Sequence, residues 1–432
     1  MSIAGFSIEQ LLILPIALFA FVVLLTIIVF FHEYGHFSVA RALGVRVDVF
    51  SIGFGRPLAR WVDKKGTEWR IAMLPLGGYV KFFGDAGPAS EASSDVKQAQ
   101  NNSDPSVSEP STNVGTTQFP NPDDAAAVGV GMSPEDKAVC FHFKPLWRRA
   151  AIVAAGPFAN FILAVVIFWG LLMVLGEGYR GSLIGEVMPD TAASEAGFEA
   201  GDRVVAINGK SISKFNDIRF AVMLGAGDEL RFDVERNGEQ ISLLATPRRS
   251  DSQDAFGNKI RVGVLGVRPD ANSYQFEKYG PVKAAGAAVE KVWNILATTV
   301  KFIGRLFAGK EDTRQLGGPI KMAQYAGQSA LSGFDEAAYS EPPSFWTKLQ
   351  VSLASFINLA AVVSVSIGFL NLLPVPVLDG GHLMYYGYEA IAGKPLGAQA
   401  QAFGFKVGLV MLASLMLFVT WNDINSLLSI NS

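Results

Sequence analysis

Residues 11–31 are apolar at every position but Thr26. As a helix rising 1.5 Å per residue, this run spans about 30 Å, the thickness of a bilayer's hydrocarbon layer. Comparable runs cover residues 150–175, about 351–373 and about 407–420. The pattern therefore predicts four membrane helices, with full extents of 1–43, 145–176, 349–381 and 402–421. A secretory signal fits the first run poorly: the run is too long, no basic residue precedes it and no small-residue cleavage site follows it. Trp147, Arg148 and Arg149 stand at the entrance to the second run as interfacial anchors. Arg41 and Arg46 follow the first run and Lys144, Arg148 and Arg149 precede the second, whereas residues 1–10 and 421–432 hold no lysine or arginine. Because basic residues gather on the cytoplasmic side, both termini are expected outside and the first connection inside. The segment between the second and third spans is then extracytoplasmic.

Between the spans the pattern changes. Residues 44–84 alternate apolar and polar positions around Gly53, Gly55, Gly66, Gly77 and Gly78, which predicts a membrane-associated β-rich loop. Residues 85–137 contain almost no large apolar side chains to offset their ordering entropy, which predicts a disordered cytoplasmic insert. Residues 276–345 set apolar residues at helical spacing among Lys278, Lys283, Lys291, Lys301 and Arg305, the pattern of an amphipathic, interfacial helical region. Residues 180–270 predict short strands at 183–187, 203–207, 230–236 and 241–245, with Asn208-Gly209 and Asn237-Gly238 as tight turns. Within them, the stretches Met188-Pro189-Asp190-Thr191-Ala192-Ala193, Ala196-Gly197, Gly201-Asp202 and Ile207-Asn208-Gly209 resemble a bacterial PDZ domain. That resemblance implies capture of an extended peptide as an added strand, with its carboxylate at Gly181, Ser182, Leu183, Ile184 and Gly185. A small β domain that only spaces or plugs is the alternative. The expected fold class is a polytopic α-helical membrane protein with four transmembrane helices, a membrane-associated β-rich loop and one extracytoplasmic PDZ-like domain.

Composition sharpens this picture. Of 432 residues, 50% are hydrophobic and only 17% charged, against about 25% charged in soluble domains. A net charge of −3 argues against a nucleic-acid partner, since no excess of cations is present to neutralise phosphates. The single cysteine, Cys140, excludes an internal disulfide and a cysteine-rich metal site.

The candidate chemistry sits at the end of the first run, at His32-Glu33-Tyr34-Gly35-His36. On a helix, His32 and His36 lie one turn apart on one face, close enough to bind one Zn2+ ion, with Glu33 placed to act as general base toward a water. Two histidines leave a zinc site one protein ligand short. Asp379 is the best candidate for the third, because it follows an apolar helix broken by Pro374 and Pro376 and is flanked by Gly380 and Gly381. An ordinary Asp-Gly turn is the competing reading of Asp379 alone. Asn371 is a candidate for orienting substrate backbone or stabilising an oxyanion. Gly77 and Gly78 lie in a stretch proposed to pair with an unwound substrate strand. With Asn371 and Pro374 they make up the expected substrate contacts. His382 is a possible neighbour of the metal ligands, and His142 an interfacial residue.

The histidine-glutamate motif in the first span and the Asn371-x-x-Pro374-x-x-x-Leu378-Asp379-Gly380 motif in the third flank a PDZ-like insert. Together they resemble the site-2 protease family of intramembrane zinc metalloproteases, and within it the RseP-type regulators of sigma-E proteolysis. The resemblance implies His32, His36 and Asp379 as zinc ligands and Glu33 as catalytic acid/base. Ala155-Gly156-Pro157 with Asn160, and Leu316-Gly317-Gly318-Pro319-Ile320, also look like family features. It further implies a bacterial inner-membrane enzyme whose substrate is a single-span protein, such as an anti-sigma factor first trimmed by a site-1 protease. Clearance of remnant signal peptides is a second enzyme reading, and a catalytically silent PDZ membrane scaffold is an alternative of a different class.

Overall fold

A computed structural model describes residues 2–3, 6–84, 132–253, 259–311, 313, 316–335 and 343–430. The insert expected over 85–137 lies outside these residues up to 131. Its end departs from the expectation, because residues 134–137 open a short helix, Pro134–Val139. Ser133 caps that helix by accepting the Asp136 N–H, and proline fits its first position, where no N–H is needed.

The apolar spans and the helix that follows the third are α1 (Ile8–Ala42), α2 (Leu146–Leu175), α3 (Phe345–Leu372), α4 (Asp379–Ala392) and α5 (Ala398–Ile430). Among the described residues, four stretches are long and apolar enough to cross a membrane: Pro15–Ala42, Leu146–Leu175, Phe345–Leu372 and Ala398–Ser426. The protein is thus a polytopic membrane protein. Phe158, Ile162, Val166 and Met173 form an exposed row along α2 at helical spacing, the surface that lipid would cover. The third span ends earlier than its expected limit of 381. It stops at Leu372, the chain turns through Pro374 and Pro376, and a separate helix begins at Asp379. Proline has no N–H to continue a helix and forces the residue before it out of the helical region.

The chain forms two compact units, Leu18–Ala164 with Leu359–Met416, and Met1–Ala17 with Val165–Asn358 and Leu417–Ser432. In the first unit, α1 and α2 pack backbone to backbone. A Cβ on Gly35 would lie 2.4 Å from the Ala155 carbonyl oxygen and 2.6 Å from the Ala159 Cβ, so only glycine permits the approach. Two long strands, β1 (Val47–Val62) and β2 (Glu68–Phe82), follow α1. Their register folds back on itself, so that Phe50 aligns with both Val80 and Trp69, and Ile52 with both Gly78 and Ile71. Among the described residues, 78–82 therefore pair on one side only, with 47–52, and form an edge. Phe50 is fully buried and packs edge-on against Phe37 of α1 at 5.2 Å, which fixes the sheet to the helix. Phe54, Leu58, Trp61, Met73 and Leu74 remain exposed, as expected of a sheet that meets lipid.

The second unit holds the β-rich module. Strands Arg203–Ile207 and Leu230–Arg236 coincide with the expected ones, while Ile184–Val187 starts one residue later and Glu239–Ala245 two residues earlier. Asn208-Gly209 and Asn237-Gly238 both have positive φ at each residue and close two-residue hairpins. Ile184, Val204, Ile218, Phe232 and Val234 form the core. Arg236 grips the fully buried Asp202 with two hydrogen bonds of 2.7 and 2.9 Å, so the buried carboxylate is paired. The sequence alone does not predict helix Phe215–Met223 or the antiparallel pairing of Arg248–Gln253 with Lys259–Val264. The region expected to be helical from 276 begins instead with strand Tyr274–Glu277, which pairs with Glu177–Arg180, before helices Pro281–Phe307 and Pro319–Leu331. Glu177 accepts from both Lys214 and Lys291. Burial would raise its carboxyl, but the two ammonium groups outweigh it and hold the pKa at about 2. At Gly317-Gly318-Pro319, the Asp423 carboxylate of α5 caps the helix, accepting from the N–H groups of Gly318, Ile320 and Lys321.

Candidate metal centre

His32 and His36 sit one turn apart on α1, each 8% exposed. Their Nε2 atoms are 3.3 Å apart. Asp379 brings Oδ2 to 3.1 Å from His32 Nε2 and 3.5 Å from His36 Nε2. That oxygen is buried and, despite the short distance, is not aligned for a hydrogen bond. Ligands held at 2.0–2.1 Å by a tetrahedral ion lie about 3.3–3.4 Å from one another. Three donor atoms spaced at 3.1–3.5 Å, one of them an orphaned carboxylate oxygen, therefore fit a zinc ion, and this group could hold one.

The local chain explains the placement of Asp379. After α3 ends, Val375 N–H donates to Leu373 O and Leu378 N–H to Val375 O, making a tight turn. A Cβ on Gly380 would stand 2.3 Å from the Leu372 and Leu373 carbonyl oxygens, and one on Gly381 2.3 Å from Val375 O. The glycine pair thus lets the first turn of α4 nest against the break, with Asp379 at the helix N-terminus, where the dipole favours a carboxylate.

Helix α2 supplies the rest of the setting. His36 Nδ1 donates to the Ile152 carbonyl at 2.9 Å. One turn on, a Cβ at Gly156 would lie 2.2 Å from His36 Nε2, so the absence of a side chain there makes room for the imidazole. A further turn on, the wholly buried Asn160 places its side-chain amide 3.2 Å from His32 Nδ1. The main-chain oxygen of Asn160 accepts from Ser364 Oγ of α3 at 2.9 Å. Residues 152, 156 and 160 of α2 therefore meet both histidines at successive turns.

Glu33 lies outside the three-atom group but within electrostatic reach of His36, His32 and Asp379. Its Cγ would be 3.0 Å from a Cβ on Gly78, which places the edge of the sheet against it. Gly77 has φ of 154° and faces Phe54, whose ring would be 2.3 Å from a Cβ. Asn371 is half-buried in the last turn of α3 and Pro374 is exposed in the break; neither belongs to the ligand group. His382 is exposed and stacks edge-on against Tyr385, and His142 is exposed; neither joins the group. Gly181, Ser182, Leu183, Ile184 and Gly185 lie in the other unit. There the Gly181 and Ile184 N–H groups already donate to Ser273 and Asp202 carbonyls, so these two amides do not form a free carboxylate cradle. In the sequence, Gly156 and Asn160 stand out only through the family resemblance; their contacts with His36 and His32 arise once α2 lies against α1.

Comparison with known proteins agrees with this geometry. The model of peptidase family M50 matches residues 20–415. Metalloprotease MmpA of Caulobacter vibrioides is 40% identical over 412 residues, covering 95% of this chain and 96% of that protein. Atu1380 of Agrobacterium fabrum, provisionally named a zinc metalloprotease, is 40% identical over 410 residues, covering 94% and 95%. A similarly named protein of Rickettsia conorii, RC0203, is 29% identical over 419 residues, covering 96% of this chain and all of its own length.

Proposed function

Because the chain belongs to peptidase family M50, the site-2 proteases, and is a zinc metalloprotease, we propose that it hydrolyses peptide bonds within the transmembrane segments of single-span membrane proteins. The observation that carries this reading is the meeting of two imidazoles and one carboxylate in a buried group, with both imidazoles on a helix long and apolar enough to span a bilayer. His32, His36 and Asp379 would hold the zinc, which supplies Lewis acidity toward a peptide carbonyl and lowers the pKa of a water molecule. Glu33 takes the proton that the attacking water gives up and returns it to the departing amine. A substrate helix in lipid hides its peptide groups in its own hydrogen bonds, so the enzyme must draw it into an extended form. The open edge at residues 78–82 suits that task. A substrate strand added there gains main-chain hydrogen bonds and runs beside Glu33. Asn371 and Pro374, at the break before Asp379, are assigned to substrate contact.

The test is cleavage of a reporter span by the purified chain in liposomes. We expect a cut inside the apolar segment that stops on chelation and resumes with zinc; zinc-loaded protein that leaves every such span intact refutes the reading. Gly78→Pro puts a Cβ within 2.8 Å of Ser51 O and 3.0 Å of the Glu33 Cγ, so it disturbs the edge and is expected to lower cleavage by about 10²-fold, the cost of misplacing a reacting group by an ångström, with zinc content unchanged. Unchanged cleavage would remove the edge from the mechanism.

The natural substrate is proposed to be an anti-sigma factor already trimmed by a site-1 protease, which makes this the second cut of regulated intramembrane proteolysis in a bacterial inner membrane. The basic residues flanking the first two spans support a topology with both termini and the module of 180–270 extracytoplasmic and the metal group near the cytoplasmic face. The module is read as PDZ-like. An added peptide strand would use an open edge, and Val267–Pro269, paired only with Ile184–Val187 among the described residues, offers one.

A further inference from the structure

We infer that Asn160 is a positioning residue for zinc: its side-chain oxygen accepts the Nδ1 proton of His32 and thereby holds the Nε2 lone pair toward the metal. The inference rests on the zinc reading of the site. A neutral imidazole offers a lone pair at Nε2 only when its proton is on Nδ1, and the group hydrogen-bonded to Nδ1 decides which tautomer forms. His36 meets this condition through the Ile152 carbonyl, an obligate acceptor. For His32 the neighbour of Nδ1 is the Asn160 amide. With Nδ2 facing the ring, Nδ1 has to accept, the proton moves to Nε2, and it points into the ligand group. That arrangement also leaves Asn160 Oδ1 buried with no hydrogen-bond partner among the described residues. The two ends of an amide are nearly the same size, and a half-turn exchanges them. After the exchange Oδ1 receives the Nδ1 proton, the buried oxygen gains the donor it lacked, and His32 Nε2 is free for the metal. Asn160 is held in place for this: its main-chain oxygen is tied to Ser364, and Gly368 of α3 packs so closely that a Cβ there would lie 3.2 Å from its side chain.

Groups that hydrogen-bond metal-bound imidazoles typically contribute 10–100-fold to metal affinity. The experiment measures zinc affinity of the full chain in detergent by competition with a chromophoric chelator, for wild type, Asn160→Asp and Asn160→Leu. Aspartate keeps an acceptor and should bind zinc within about threefold of wild type, whereas leucine, of similar size but with no acceptor, should bind about 10–100-fold more weakly. Cobalt-substituted Asn160→Asp should also reproduce the wild-type visible spectrum. Equal affinity of Asn160→Leu and wild type overturns the inference. So does an equal loss in both variants, which marks a packing role instead. If wild type itself takes up no zinc, the metal reading fails and this inference with it, an outcome separate from the other two.

Discussion

Glu33→Gln leaves zinc bound and lowers cleavage of a reporter span by about 10²–10⁴-fold, the usual contribution of a general base. Glutamine keeps the size and hydrogen-bonding reach of glutamate but cannot take a proton. Glu33 is not one of the three clustered donor atoms, so the metal group should survive the change. Nor should the packing suffer, because the Cγ that meets Gly78 is common to both side chains. The measurement pairs metal content with a cleavage rate on the same preparation. Full activity of the zinc-loaded variant would mean that another group moves the proton.

Gly156→Val is expected to act like His36→Ala, although residue 156 contributes no ligand. Its new Cβ would fall 2.2 Å from His36 Nε2, 2.5 Å from Cε1 and 2.8 Å from Cδ2, all impossible contacts. The ring cannot simply swing aside, since its Nδ1 is tied to the Ile152 carbonyl of the same helix. Either the imidazole leaves the ligand group or α1 and α2 separate, and separation would undo the contact at Gly35. Zinc content near zero and loss of cleavage are the expected results for both variants. Stoichiometric zinc in Gly156→Val would show that the helices can yield without disturbing the ligand.

Much of this was legible in the sequence, for reasons that are local. A membrane span is marked by its own residues, so all four could be read, and His32 and His36 could be placed on one face because they are four apart on a helix. Asp379 could be singled out because two prolines and two glycines around it announce a break. What failed depends on partners distant in the chain. Nothing near Gly156 or Asn160 tells which helix will face them, and their roles emerge only once α2 lies against α1. The sequence predicts a third span reaching 381 because apolar Leu372, Leu373, Val375, Val377 and Leu378 continue the hydropathy beyond the point where proline ends the helix. Likewise, the PDZ resemblance points to Gly181 to Gly185 as the place of a carboxylate-binding loop, while carbonyls at Ser273 and Asp202 take up two of its amides.

The donors of the metal group come from the two ends of the chain, His36 and Asp379, so 343 residues (379 − 36) separate them. On a ribosome adding 5–20 residues per second, roughly 17–70 s pass between the emergence of one and the other. Throughout that interval the newborn polypeptide carries both imidazoles without the Asp379 carboxylate that is proposed to complete the group. On the proposed ligand set, biosynthesis would act as a safety catch: the zinc could be held by all three ligands only after the third span has been threaded, and a chain terminated before Asp379 would lack one of them.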